Sequence, residues 1–208
     1  MITTKAASII LLLAFSISMA CADTQTNRYH EFDADEVTTL RIDARVGTIR
    51  VEPSQSGRFE VELVITDEDH GGWFSRSPDI ADMDLRSRHR GDQLRLSFNE
   101  DKVKGEWVVK VPALEQLDIE LDVGTIKVYM AQYGIVAEIG VGTIELQASK
   151  SSIGSVDLSA GIGDTDIKGG TDTDNHRAMV SSETTAFGDG AMSIRARAGV
   201  GEVTAELM

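Results

Sequence analysis

The chain has 208 residues, one cysteine, three prolines and a formal net charge of −14. That balance repels phosphate backbones and anionic headgroups, which argues against nucleic acid as a partner. A single cysteine excludes an internal disulfide and a thiolate zinc site, so the fold must rest on core burial and hydrogen bonding. No catalytic signature occurs, and no cofactor is expected.

Residues 1–22 read as an export signal. Lys5 supplies the positive start, "AASIILLLAFSIS" the apolar run, and small residues follow. The run is too short to span a bilayer. Two processing patterns overlap: "SMAC" would leave Cys21 as a lipid-modified N-terminus, and "ACAD" offers ordinary cleavage after Ala22. The expected location is the periplasm or the outer membrane as a lipoprotein, with the cell surface or secretion also open, and membrane attachment only through such an anchor. Residues 23–36 read as a flexible acidic lead-in, and 37–208 as one domain.

From residue 40 a twelve-residue phrase recurs: "LRIDARVGTIRV" (40–51), "LDIELDVGTIKV" (117–128), "IVAEIGVGTIEL" (135–146), "VDLSAGIGDTDI" (156–167) and "IRARAGVGEVTA" (194–205). Aligned on Gly47, Gly124, Gly142, Gly163 and Gly201, the preceding residues alternate apolar and polar with period two, as in a half-buried strand. Counting that period to the glycine puts Val46, Val123, Val141, Ile162 and Val200 inward. After the glycine the inward set resumes at Ile49, Ile126, Ile144, Thr165 and Val203, so the chain turns a corner there. Between the first two phrases, "RFEVELVI" (58–65), "DQLRLSF" (92–98) and "EWVVKVP" (106–112) are strand-like and predict a hairpin-like extension of the N-terminal end.

The spacings of 18, 21 and 38 residues between successive later glycines predict repeats that stack on their neighbours. The longest gap leaves room for a degenerate rung through 178–192. No segment carries a helical stripe, so the expectation is an all-β, single-stranded β-solenoid. Stacking the first rung on the second sets Arg41 against Asp118 and Arg45 against Asp122, pairings that add a few tenths of a kcal/mol each. The last phrase ends at the chain terminus, which predicts an open edge and end-on self-association.

The "VGTI" corners, the exported leader and "VVKVPALEQLDIELDVGTIKV" together resemble a bacterial adhesin-like family of domains of unknown function, the toast-rack domains. The resemblance covers about residues 36–208. It implies a right-handed single-stranded β-solenoid, an envelope setting, and links to surface adhesion or envelope stress. It implies no catalytic residues.

Candidate sites are few. Asp164, Asp166, Asp172 and Asp174 in "GDTDIKGGTDTDN" place carboxylates in one acidic segment, as calcium requires, although the spacing matches no calcium loop and a solvated turn accounts for it. Trp73 and Phe74 in "HGGWFSR" suit either a contact loop or a cap on the core. Thr48, Thr125 and Thr143 recur after the glycine, where hydroxyls can satisfy the corner backbone. Asp118, Glu120, Asp122 and Glu138 share outward faces as a solubilising stripe would. His30, His70, His89 and His176 are scattered, and no nucleophile motif occurs. The reading is a non-enzymatic envelope protein contacting a protein or cell-wall surface. A carbohydrate-active or metal-binding solenoid, and an accessory of an envelope-stress system, are the alternatives.

Overall fold

A computed structural model describes residues 25–68, 78–178 and 180–208. The export signal, Cys21, and the loop bearing His70, Trp73 and Phe74 lie outside the described residues. Everything described is strand or connection. Among the described residues there are twelve strands: β1 (Gln25–Phe32), β2 (Thr39–Pro53), β3 (Phe59–Asp67), β4 (Arg86–Arg90), β5 (Gln93–Phe98), β6 (Val103–Val111), β7 (Gln116–Ala131), β8 (Gly134–Ala148), β9 (Ile153–Lys168), β10 (Thr171–Ala178), β11 (Ser181–Phe187) and β12 (Met192–Leu207).

They form one open sheet in the order β1-β3-β6-β2-β7-β8-β12-β9-β11-β10, with β5 also on β2 and β4 on β5. The five phrases are β2, β7, β8, β12 and β9. They pair in parallel with glycine on glycine throughout. The amide of Gly134 donates to the carbonyl of Glu115. Residues 116–131 therefore wind back to their own starting point before β8 begins.

Six glycines form the corner, because Gly105 of β6 pairs with Gly47. All but Gly105 hold φ between 140 and 145°, a region that residues bearing a Cβ avoid. A Cβ on Gly124 would land on the carbonyl oxygen of Gly47, and one on Gly142 on that of Gly124. β5 and β6 together replace one bent strand. β5 matches Thr39–Ala44, β6 matches Gly47–Pro53, and residues 99–102 bridge the corner between them.

The columns behind the corner are the core. Leu40, Leu117 and Ile135 stack on one arm, and Ile49, Ile126, Ile144 and Val203 on the other; all are buried. Each such side chain contributes roughly 1.5–3 kcal/mol by leaving water. The column ends in Thr165, whose Oγ1 lies 2.8 Å from Ser182 Oγ and 2.6 Å from Thr184 Oγ1, so buried hydroxyls satisfy one another at that end.

Several expectations are corrected. Val123, Val141, Ile162 and Val200 are not inward; they are 41–53% exposed, and Val46 is half-buried. The last inward residue before the corner is three positions ahead of the glycine, as Leu121 is, and the next is Ile126. The bend takes up the intervening four residues and turns the valine outward. Residues 25–32, read as part of a flexible lead-in, form β1, which is paired along its length with β3. The segment 178–192 is no parallel rung: β10 and β11 make an antiparallel hairpin on β9. Nor do the rungs stack wholly in chain order. β12 lies between β8 and β9, hydrogen-bonded on both sides, so the C-terminal strand is no open edge and end-on self-association through it has no basis. Its two parallel neighbours satisfy every backbone direction that an added strand would need.

Candidate functional site

Outward residues of the first arm form a charged lattice. Pairing sets Arg88 of β4 against Arg95 of β5, and Arg95 against Arg41 of β2. Three adjacent guanidiniums repel, and the buried Asp43 offsets this. Its Oδ2 accepts from Arg95 Nε at 2.6 Å and its Oδ1 from Arg41 Nε at 3.2 Å. Arg41 reaches Glu120 at 2.8 Å, diagonal to the Asp118 that it faces in register. Burial opposes the Arg41 charge, but the Asp43 hydrogen bond and the Asp43 and Glu120 charges outweigh it and hold the guanidinium above its ordinary pKa. Arg45 pairs with Asp101 and, at 3.8 Å, with Asp122 as expected. Asp43→Ala is expected to lower unfolding free energy by roughly 1–3 kcal/mol, a buried-pair loss discounted because both arginines are well exposed; chemical denaturation measures it.

The acidic segment does not converge. Asp164 pairs with Arg177, Asp166 faces outward on β9, and Asp172 and Asp174 lie exposed on the edge strand β10. Among the described residues no group of three His, Cys, Asp or Glu side chains could hold a metal. Thr48, Thr125 and Thr143 do stack in register, flanked along the column by Glu202 and Asp164. Asp118, Glu120 and Glu138 line one shallow depression together with Arg41. His30 sits on β1, 2.8 Å from Asp84, while His89 and His176 are on β4 and β10. Among the described residues no helix is long and apolar enough to cross a membrane.

Two features escaped sequence reasoning. One is the outer ridge itself. Val46, Val123, Val141, Val200 and Ile162 are neighbours across five strands in register, spaced by the ordinary strand separation of about 4.8 Å. Beside the ridge run Gly140, Gly199 and Gly161, so no side chain shields Val141, Val200 or Ile162 from that flank. The second is an uncharged groove of about 390 Å³ at the turns where strands exit, lined by Pro53, Val111, Pro112, Leu114, Met130 and Tyr133, with Ser54 and Gln132 at its edge. Met130 has φ 54° at a register shift in β7 and stands 53% exposed. Tyr133 is 6% exposed, and its hydroxyl is buried without a hydrogen-bond partner. Burial pushes that hydroxyl well above the usual tyrosine range, so it remains a proton donor.

No family model and no curated protein matches the sequence. Among solved structures the chain is similar to a candidate cell adhesion protein of Clostridium sporogenes, at 12% identity and TM-score 0.48, over 88% of this chain and 100% of that one. It is also similar to a candidate adhesin of Bacteroides fragilis, at 12% identity and TM-score 0.37, over 88% of this chain and 97% of that one.

Proposed function

We propose that this chain is a non-enzymatic cell-envelope scaffold, a right-handed β-solenoid over 37–208 that makes protein or cell-wall contacts. The observation that carries the reading is the aliphatic ridge. A contiguous apolar stripe on an otherwise charged surface marks an interaction face, and the glycine corner holds it rigid, so little conformational entropy is lost on contact. The leader at 1–22 accounts for export, with lipidation at Cys21 as the tether to the outer membrane. Trp73 and Phe74 would add aromatic anchors to such a surface. The calcium reading of Asp164, Asp166, Asp172 and Asp174, the carbohydrate-active alternative and the envelope-stress alternative have no observation in their favour among the described residues.

The test is retention of the labelled full chain on isolated cell walls and on whole cells. Wild type is expected to be retained, and the double variant Val141→Asp with Val200→Asp to lose roughly tenfold or more in apparent affinity, as removal of central contact residues does. Equal retention of the two forms, or none by wild type, overturns the proposal.

A further inference from the structure

The outward lattice of the first arm begins and ends in opposite charge. One row of directly paired residues crosses the whole arm. It starts with Arg88, Arg95 and Arg41 on β4, β5 and β2, and ends with Asp157, Thr185 and Asp174 on β9, β11 and β10. Both outermost strands are edges, because among the described residues β4 is hydrogen-bonded only to β5, and β10 only to β11. Every residue of each is exposed. On β4, Arg86 is held by Glu100 at 2.9 Å, and on β10, Arg177 pairs with Asp164. Among the described residues Arg88, Arg90, Asp172 and Asp174 have no ionic partner. An open edge is a template for a further strand, and charge on it repels a like edge and attracts an opposite one.

Strand direction and end shape agree with such a junction. β4 runs antiparallel to β5 and so to the bent strands, whereas β10, antiparallel to β11, runs with β9. A second copy set on the stack by simple translation therefore brings its β4 antiparallel to β10 of the first, the more stable of the two pairings. The ends are also stepped. Beyond β2 the first arm gains two strands and the second arm three; beyond β9 the first arm gains two and the second none. With β4 set on β10, only one strand position, about 4.8 Å, stays open in the second arm, a gap that side chains can fill.

We infer that copies of this chain join head to tail, β4 of one copy adding antiparallel to β10 of the next with Arg88 against Asp174. Arg86 then falls opposite His176, and Arg90 falls at the bulge that carries Asp172. A junction between like edges, β4 on β4 or β10 on β10, sets the same charges against each other, so the unlike pairing is selected. Each union leaves one β4 and one β10 edge free, and the assembly grows instead of closing at two copies. The junction does not use the aliphatic ridge and stands whether or not the ridge has a partner.

The test follows the mass of the full chain against concentration by sedimentation and light scattering. The mass is expected to rise without a plateau at two copies. Arg88→Glu sets carboxylate against carboxylate at the junction, and Asp174→Arg sets guanidinium against guanidinium. Each variant alone is expected to associate roughly tenfold or more weakly than wild type. Both positions are exposed, so the melting temperature is expected to stay unchanged. An equimolar mixture of the two variants is expected to associate again, because each altered edge then meets one of opposite charge. The inference is overturned by a chain that stays monomeric at every concentration or by a mass that stops at two copies. Association undiminished by either substitution, or a mixture that fails to recover it, overturns it equally.

Discussion

Gly124→Ala is expected to lower the free energy of unfolding by more than about 4 kcal/mol, or to prevent folding outright. Two costs add. At φ 142° a Cβ is strained against its own backbone, and the same Cβ would occupy the carbonyl oxygen of Gly47 in the neighbouring strand. That carbonyl cannot yield alone, because β2 and β7 pair at Val46↔Val123, Gly47↔Gly124 and Thr48↔Thr125, so moving one carbonyl breaks the ladder on both sides. Gly57→Ala separates the costs. Gly57 holds φ 75° with nothing within 4 Å of the point where a Cβ would stand, so only dihedral strain applies, roughly 1–2 kcal/mol. Urea unfolding followed by circular dichroism measures both. If the two substitutions cost the same, steric closure of the glycine column is not what sets the corner.

The column explains which parts of the fold the sequence made legible. Glycine with hydrophobic residues at fixed offsets identifies each bent strand, and all five aligned glycines meet in register. The sixth, Gly105, was also readable. "GEWVV" at 105–109 has the spacing of "GTIRV" at 47–51, but its first arm is a separate strand beyond residues 99–102, which hides the match. The order of stacking was not readable. β12 fits between β8 and β9 because both present the same parallel glycine-bearing edge, and nothing in the spacing of Gly142, Gly163 and Gly201 distinguishes that slot from one at the end. The groove was invisible for another reason: Pro53, Leu114 and Tyr133 belong to turns far apart in sequence, and none carries a motif.

The outward valines show how a local pattern misleads where the backbone bends. Val141 and Ile144 are both aliphatic and three residues apart. The first is matched by an aliphatic residue in every phrase, and the second in every phrase but that of β9, where Thr165 stands. Yet one is 48% exposed and the other fully buried. Aspartate at each position should therefore give opposite outcomes. Ile144→Asp buries a carboxylate among Ile126 and Val203 with no cation beside it, a cost of several kcal/mol on top of the lost apolar burial, and the chain is expected not to fold. Val141→Asp places the carboxylate in solvent beside Gly140 and is expected to change unfolding free energy by no more than about 0.5 kcal/mol, as surface substitutions do. The pair is read by the same denaturation curves, with soluble expression as the first indicator. A Val141→Asp variant as damaged as Ile144→Asp would mean that the corner points its valines inward after all, and the ridge would lose its claim as a contact face. A stable Val141→Asp beside an unfolded Ile144→Asp leaves an aliphatic stripe that core packing does not require, which is the condition a contact face must meet.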